Sequence, residues 1–228
     1  MRQTAFKMSF QATRLDRDPN PPDPRLRVLE PDEARELLRA AGRTKGFVFP
    51  AAIAFPVRLK WKVPRLVGAR FVDSSLRGAF ISRWPMKTVF EECVFEDTEL
   101  DGPYARKVTF GKCRFLRTSL GKKMMAVLVN CIASDCTFDE FDFGDGQALK
   151  SRFIDCNFTA TRTAGFTFRG CSFENCRWAG SLRRTSFISC GFLNCDFTEL
   201  RFDDCAIIAC RRVSLSLPKN TTELDVIA

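Results

Sequence analysis

All eleven cysteines of this chain stand two residues before a position on a five-residue ladder. Cys93/Phe95, Cys113/Phe115, Cys136/Phe138, Cys156/Phe158, Cys171/Phe173, Cys176/Trp178, Cys190/Phe192, Cys195/Phe197 and Cys205/Ile207 show the pairing directly; Cys131/Ala133 and Cys210/Arg212 are weaker members. Apolar side chains recur along the same ladder at Phe90, Phe95, Leu100, Phe110, Phe115 and Leu120. They resume at Leu128, Phe138, Phe143, Phe153, Phe158, Phe168, Phe173 and Trp178, and end in Leu182, Phe187, Phe192, Phe197, Phe202 and Ile207. A period of five fits neither the 3.6-residue helix nor the two-residue strand. The repeat itself therefore has to set the architecture.

A chain that turns a corner every five residues closes a square coil in twenty, and stacked coils share one interior. Alignment by twenty, with one residue dropped between Trp178 and Leu182, superposes Phe138, Phe158, Trp178 and Phe197, and with them Cys136, Cys156, Cys176 and Cys195. A neighbouring column holds Phe153, Phe173 and Phe192 with Ser151, Cys171 and Cys190. The corner between the columns carries Asp135, Asp155, Asn175 and Asn194, residue types that hydrogen-bond their own backbone in turns.

Over roughly residues 71–212 this pattern resembles the pentapeptide-repeat family, with Phe favoured at the centre and Cys in a slot often held by Ala. The resemblance implies an all-β solenoid, a right-handed quadrilateral β-helix. Its coils, about six to seven in number at a spacing of about 4.8 Å, would build a rod on the order of 30 Å tall. The frame shifts at 81–90, 120–128 and 178–182, where bulges, loops or tightened corners are expected. Three regions follow: a basic, partly helical N-terminal extension (1–70), the β-helix (71–212) and a short C-terminal cap (213–228), since solenoid ends need covering.

The net charge is +9, and residues 1–70 hold fifteen Lys or Arg against seven Asp or Glu, whereas 71–212 hold twenty against eighteen. The rod is near neutral and the extension basic. No apolar run reaches the length of a membrane span, and the N-terminus lacks the apolar core of a signal peptide, so a cytoplasmic location is expected. The cysteines repeat in a core-facing register and are odd in number, which favours reduced thiols packed as small hydrophobes over a disulfide framework.

Within the extension, residues 18–24 (DPNPPDP) read as an extended arm, and Pro31 opens a short helix through Ala41, with Gly42 just after its end. Residues 37–72 contain no acid. Inside them Arg58, Lys60, Trp61, Lys62 and Arg65 form a basic contact region on an alternating strand, read first as a lead-in that covers the first coil. The second reading is a surface for nucleic acid or anionic lipid.

Histidine is absent, which removes Ser-His-Asp and Cys-His arrangements and every His-ligated metal site. CxxxxC spacing sends successive thiols in from different sides, unlike a zinc site. Glu91/Glu92 and Asp203/Asp204 fall at corners as solvated turn residues. No catalytic, cofactor-binding or metal-binding residues are assigned. What remains is surface: Leu149, Ile154, Ile188, Leu193 and Ile208 follow core positions and would cluster on adjoining sides of the rod, interrupted by Arg169 and Glu174. The extension folding back, an external protein partner and self-association are three readings of that flank. The expected function is a non-enzymatic protein-interaction scaffold. The alternative implied by the resemblance is a DNA-mimicking modulator of a type II topoisomerase, of the quinolone-protection type; it asks for an acidic rod, which this is not.

Overall fold

The computed structural model describes residues 24–55, 60–61, 67–81, 86–100, 104–120, 126–219 and 224–227. Short parallel strands stack in four columns, here walls A to D, around one interior, making about seven turns of a β-solenoid. Wall A stacks Tyr104–Arg106, Ala126–Val129, Gly146–Leu149, Thr167–Arg169, Ser186–Ile188 and Cys205–Ile208. Wall B centres on Phe71, Phe90, Phe110, Ala133, Phe153, Phe173 and Phe192. Wall C carries Phe95, Phe115, Phe138, Phe158 and Trp178, and wall D carries Leu100, Leu120, Phe143 and Leu182.

Registers give the length of each turn. Arg152 faces Ser172, twenty residues on. Arg114 faces Thr137, three residues longer, and Thr163 faces Leu182, one shorter. The long turn takes up its extra residues after Leu120, where positions 121–125 lie outside the described residues. The frame shift at 81–90 likewise falls partly on undescribed positions, 82–85. The short turn is a tightened corner at Gly180, whose φ is +128°. A Cβ there would stand 2.4 Å from the Thr161 carbonyl oxygen, so glycine is what lets the two backbones meet.

Corners elsewhere are built differently from the expectation. Among the described residues, twenty-one non-glycine residues take a left-handed conformation with φ between +45° and +57°, most of them two places after a core residue. Most of these corners turn their N–H along the axis: Asp155 N–H donates to the Glu174 carbonyl at 2.9 Å, and Lys150 N–H to that of Arg169 at 2.9 Å. Three of the Asp and Asn corner side chains bond one another in a ladder, Asn175 Nδ2 donating to Asp155 Oδ1 at 2.8 Å and Asn194 Nδ2 to Asn175 Oδ1 at 3.3 Å.

The interior is aromatic. In wall C, Phe95, Phe115, Phe138 and Phe158 stack at centroid distances of 4.7, 4.7 and 4.6 Å with nearly parallel rings. Rings of adjoining walls meet edge to face, as Phe90 and Phe95 do at 5.3 Å. Full burial of each Phe contributes roughly 1.5–3 kcal/mol. Two large side chains missing from the sequence ladder, Phe141 and Phe166, occupy the small slot and are also buried.

The N-terminal end is covered. Strand Arg27–Val28 pairs with Ile53–Ala54, and helix α1 spans Pro31–Arg43 with Asp32 and Glu33 in its first turn. It runs two residues past Ala41 and includes Gly42, because Thr44 N–H still reaches the Ala40 carbonyl at 3.0 Å. Ala34, Leu38 and Ala41 are buried in the same core as Phe49, Ile53 and Phe55 of the first coil. The tail also pairs: Arg211–Ser216 runs along Gly191–Asp203, and Leu224–Ile227 along Cys205–Ile208.

Candidate interaction surface

The thiols face inward and all eleven are free. Six of them, Cys93, Cys113, Cys136, Cys156, Cys176 and Cys195, occupy consecutive turns of wall C, because each immediately precedes a paired residue of that wall. They do more than fill space. Cys156 Sγ lies 3.2 Å from the Ile154 carbonyl oxygen and 3.5 Å from that of Ala133, and Cys176 Sγ lies 3.3 Å from Glu174 O and 3.4 Å from Phe153 O. Thr98 and Thr118 make the same bonds from the same slot, to the Leu76 and Phe95 carbonyls at 2.7 and 2.9 Å. Where the slot holds Cys or Thr, the side chain is thus a small donor to backbone carbonyls.

Burial pushes the Cys113, Cys131, Cys205 and Cys210 thiols above the ordinary thiol range. For Cys156 and Cys176 the neighbouring thiol of the ladder, followed by burial, raises the value to about 12. A neutral, buried thiol is a poor nucleophile. Among the described residues no three His, Cys, Asp or Glu side chains converge as a metal site. No described helix is long and apolar enough to cross a membrane.

On the outside, Leu149, Ile188 and Ile208 share one column of wall A, with Arg169 between Leu149 and Ile188. Ile154 and Leu193 share the adjoining column of wall B, with Glu174 between them. Both columns are longer than the sequence set: Val129 pairs with Leu149, and Val213, which is exposed, pairs with Leu193. The same twenty-residue step carries each addition. The described part of the N-terminal extension buries Leu29, Leu38, Phe49 and Phe55 in the end of the core but leaves Val28 and Val48 exposed, and Leu193 remains 40% exposed. Of the basic contact region, Lys60–Trp61 forms a strand paired with Phe80–Ile81, whereas Arg58, Lys62 and Arg65 lie outside the described residues.

Several charges on the other walls are tied across turns. Arg117 reaches Glu96 and Asp97 at 2.7 Å each, Lys112 reaches Glu92 at 3.3 Å, and Arg183 reaches Asp203 at 3.1 Å. Exposed pairs of this kind contribute about 0–1 kcal/mol apiece.

No protein-family model and no curated sequence matches the chain. Among solved structures it is similar to a trypsin-treated variant of QnrB1, a plasmid-mediated fluoroquinolone resistance protein, at 14% identity and a TM-score of 0.46, over 73% of this chain and 84% of that one. It is also similar to HetL, a pentapeptide repeat protein involved in heterocyst differentiation regulation from the cyanobacterium Nostoc sp. strain PCC 7120. There the identity is 10% and the TM-score 0.40, over 85% of this chain and 93% of that one. Likeness at this level carries no inference about partners. The chain's own geometry defines the fold: walls repeating every five residues, turns of about twenty, an inward pair two residues apart on each wall and left-handed corners make this a four-walled β-solenoid, as the resemblance to pentapeptide-repeat proteins implies.

Proposed function

We propose that the protein is a non-enzymatic interaction scaffold that presents the walls of a rigid solenoid to a protein partner. The contact flank comprises Leu149, Ile154, Ile188, Leu193 and Ile208, with the basic stretch at 58–65 as a second contact region. One observation carries this reading: the chain's reactive side chains, its thiols, are committed to packing and backbone hydrogen bonds, while aliphatic side chains stand in two adjoining outward columns. A duplex-mimicking role draws less support, since basic residues such as Lys112 at the B–C edge and Arg117 at the C–D edge interrupt and neutralise the acids there.

The test is affinity capture with the full chain from cells that express it, beside the Ile188→Asp/Leu193→Asp double variant. A specific partner held by the parent and lost by the variant, with the far-UV circular dichroism and melting temperature unchanged, supports the scaffold. Equal recovery of the same partner by both proteins removes the flank, and absence of any specific partner removes the scaffold.

A further inference from the structure

The rod is near neutral as a whole, yet its charge is segregated by wall. The six strands of wall A from Tyr104–Arg106 to Cys205–Ile208 contain no acidic residue. The acid-free band continues around the edge onto wall B, where Thr109, Ile132, Arg152 and Ser172 follow one another in register. Within the band Lys87, Arg106, Lys107, Lys150, Arg152 and Arg169 are exposed. None of the six makes an ion pair with another described residue, in contrast to Lys112, Arg117 and Arg183 on the other sides. Beside them runs the aliphatic column of Val129, Leu149, Ile188 and Ile208.

We propose that this band docks an acidic amphipathic helix of a protein partner, lying along the rod axis. The proposal rests on the scaffold reading and deepens it by giving the partner's chemistry. Coils repeat every ~4.8 Å and a helix turns every ~5.4 Å, so a helix laid along the wall offers close to one contact row per coil. From the coil of Arg106 to that of Ile208 is five steps, about 24 Å, the length of a helix of about 16 residues. Its apolar stripe meets the aliphatic column, one acid within the stripe meets Arg169 between Leu149 and Ile188, and an acidic row beside the stripe meets Lys107 and Lys150. A nucleic-acid backbone would satisfy the cations but leave Leu149, Ile188 and Ile208 against phosphate. A bilayer calls for protruding apolar side chains, whereas these three are half-buried in the wall.

The probe is a fluorescein-labelled peptide of about 18 residues with Leu at helical spacing flanked by Glu, titrated with the full chain and followed by anisotropy. Its scrambled isomer is the control. The variant is Lys107→Glu/Lys150→Glu/Arg169→Glu. Glu92 and Glu140, at the corners after walls B and C, take the same left-handed conformation as Lys107 and Lys150 after wall A, with φ of +54° and +49°, so this kind of corner accepts Glu. The patterned peptide is expected to bind at least about tenfold more tightly than the scrambled one. The triple variant should weaken it by a similar factor, while Arg201→Glu on wall D leaves it unchanged. Equal binding of the scrambled peptide, or full binding by the triple variant, overturns the proposal. So does tighter binding of a labelled single-stranded oligonucleotide, or of phosphatidylserine vesicles, through the same three residues. If any of these occurs while affinity capture still depends on Ile188 and Leu193, the helix-docking inference fails alone and the scaffold stands.

Discussion

At Gly180 the chain drops one residue from its turn, and the backbone of the preceding turn passes where a side chain would start. Both the positive φ and the 2.4 Å approach to the Thr161 oxygen act against Gly180→Ala. That substitution should cost about 2 kcal/mol or more, read as a lower urea midpoint at unchanged slope. Ala133 presents the opposite case. It interrupts the Phe stack of wall B and leaves an apolar void of about 30 Å3, lined by Leu128, Cys131, Phe138, Phe141 and Phe153 among others. The space suits one or two methyl groups, and valine also suits a strand. Ala133→Val is therefore expected to stabilise by about 0.5–1 kcal/mol in the same urea experiment. A loss of stability would mean that the void closes by side-chain relaxation when it is left unfilled. Both positions carry a mark in the sequence, a missing residue and a missing Phe, but only the backbone approach and the void give them a sign.

Among the elements, helix α1 does a different job from the strands. A solenoid's first coil exposes the interior that every later coil hides, and the helix supplies Ala34, Leu38 and Ala41 to that open end. Leu38→Ala should cost roughly 2–3 kcal/mol. Because the lesion lies at the end of the stack, amide exchange should rise first in Ile53–Ala54 and Arg70–Val72 and leave Asn157–Ala164 protected. Uniform loss of protection would instead show that the rod opens as one unit. The helix start was legible from Pro31 and the acids behind it. Its end was not, since Gly42 marks a stop only when the next N–H lacks a helical acceptor, and here Thr44 has one.

For the whole molecule, the thiols couple stability to pH. Cys113, Cys131, Cys156, Cys176, Cys190, Cys195, Cys205 and Cys210 are raised in the folded state, and these eight outnumber Cys136 and Cys171, which hydrogen bonds with the neighbouring thiols Cys113 and Cys190 lower. A raised value means that the folded form keeps its proton while the unfolded chain, with thiols near about 8.5, gives it up. The stability these groups contribute is complete below that pH and is lost as pH rises above it. Under reducing conditions the melting temperature should hold between pH 6 and 8 and fall steadily from about pH 9 to 10. A flat profile across that window would contradict burial of the thiols in the native state.

The five-residue ladder alone determined that this chain coils, which side chains face the axis, where the turn shortens and that cysteine belongs inside, because the period of a repeat dictates which residues share a side. Tertiary structure decided the rest. Stacking brings Lys107, Lys150 and Arg169 onto one wall and sorts a nearly balanced charge into an acid-free band and ion-paired walls. It turns small inward residues into donors for the carbonyls of the turn before. Those relations join residues about twenty apart through the spacing between coils, and a sum of charges along the chain does not contain them.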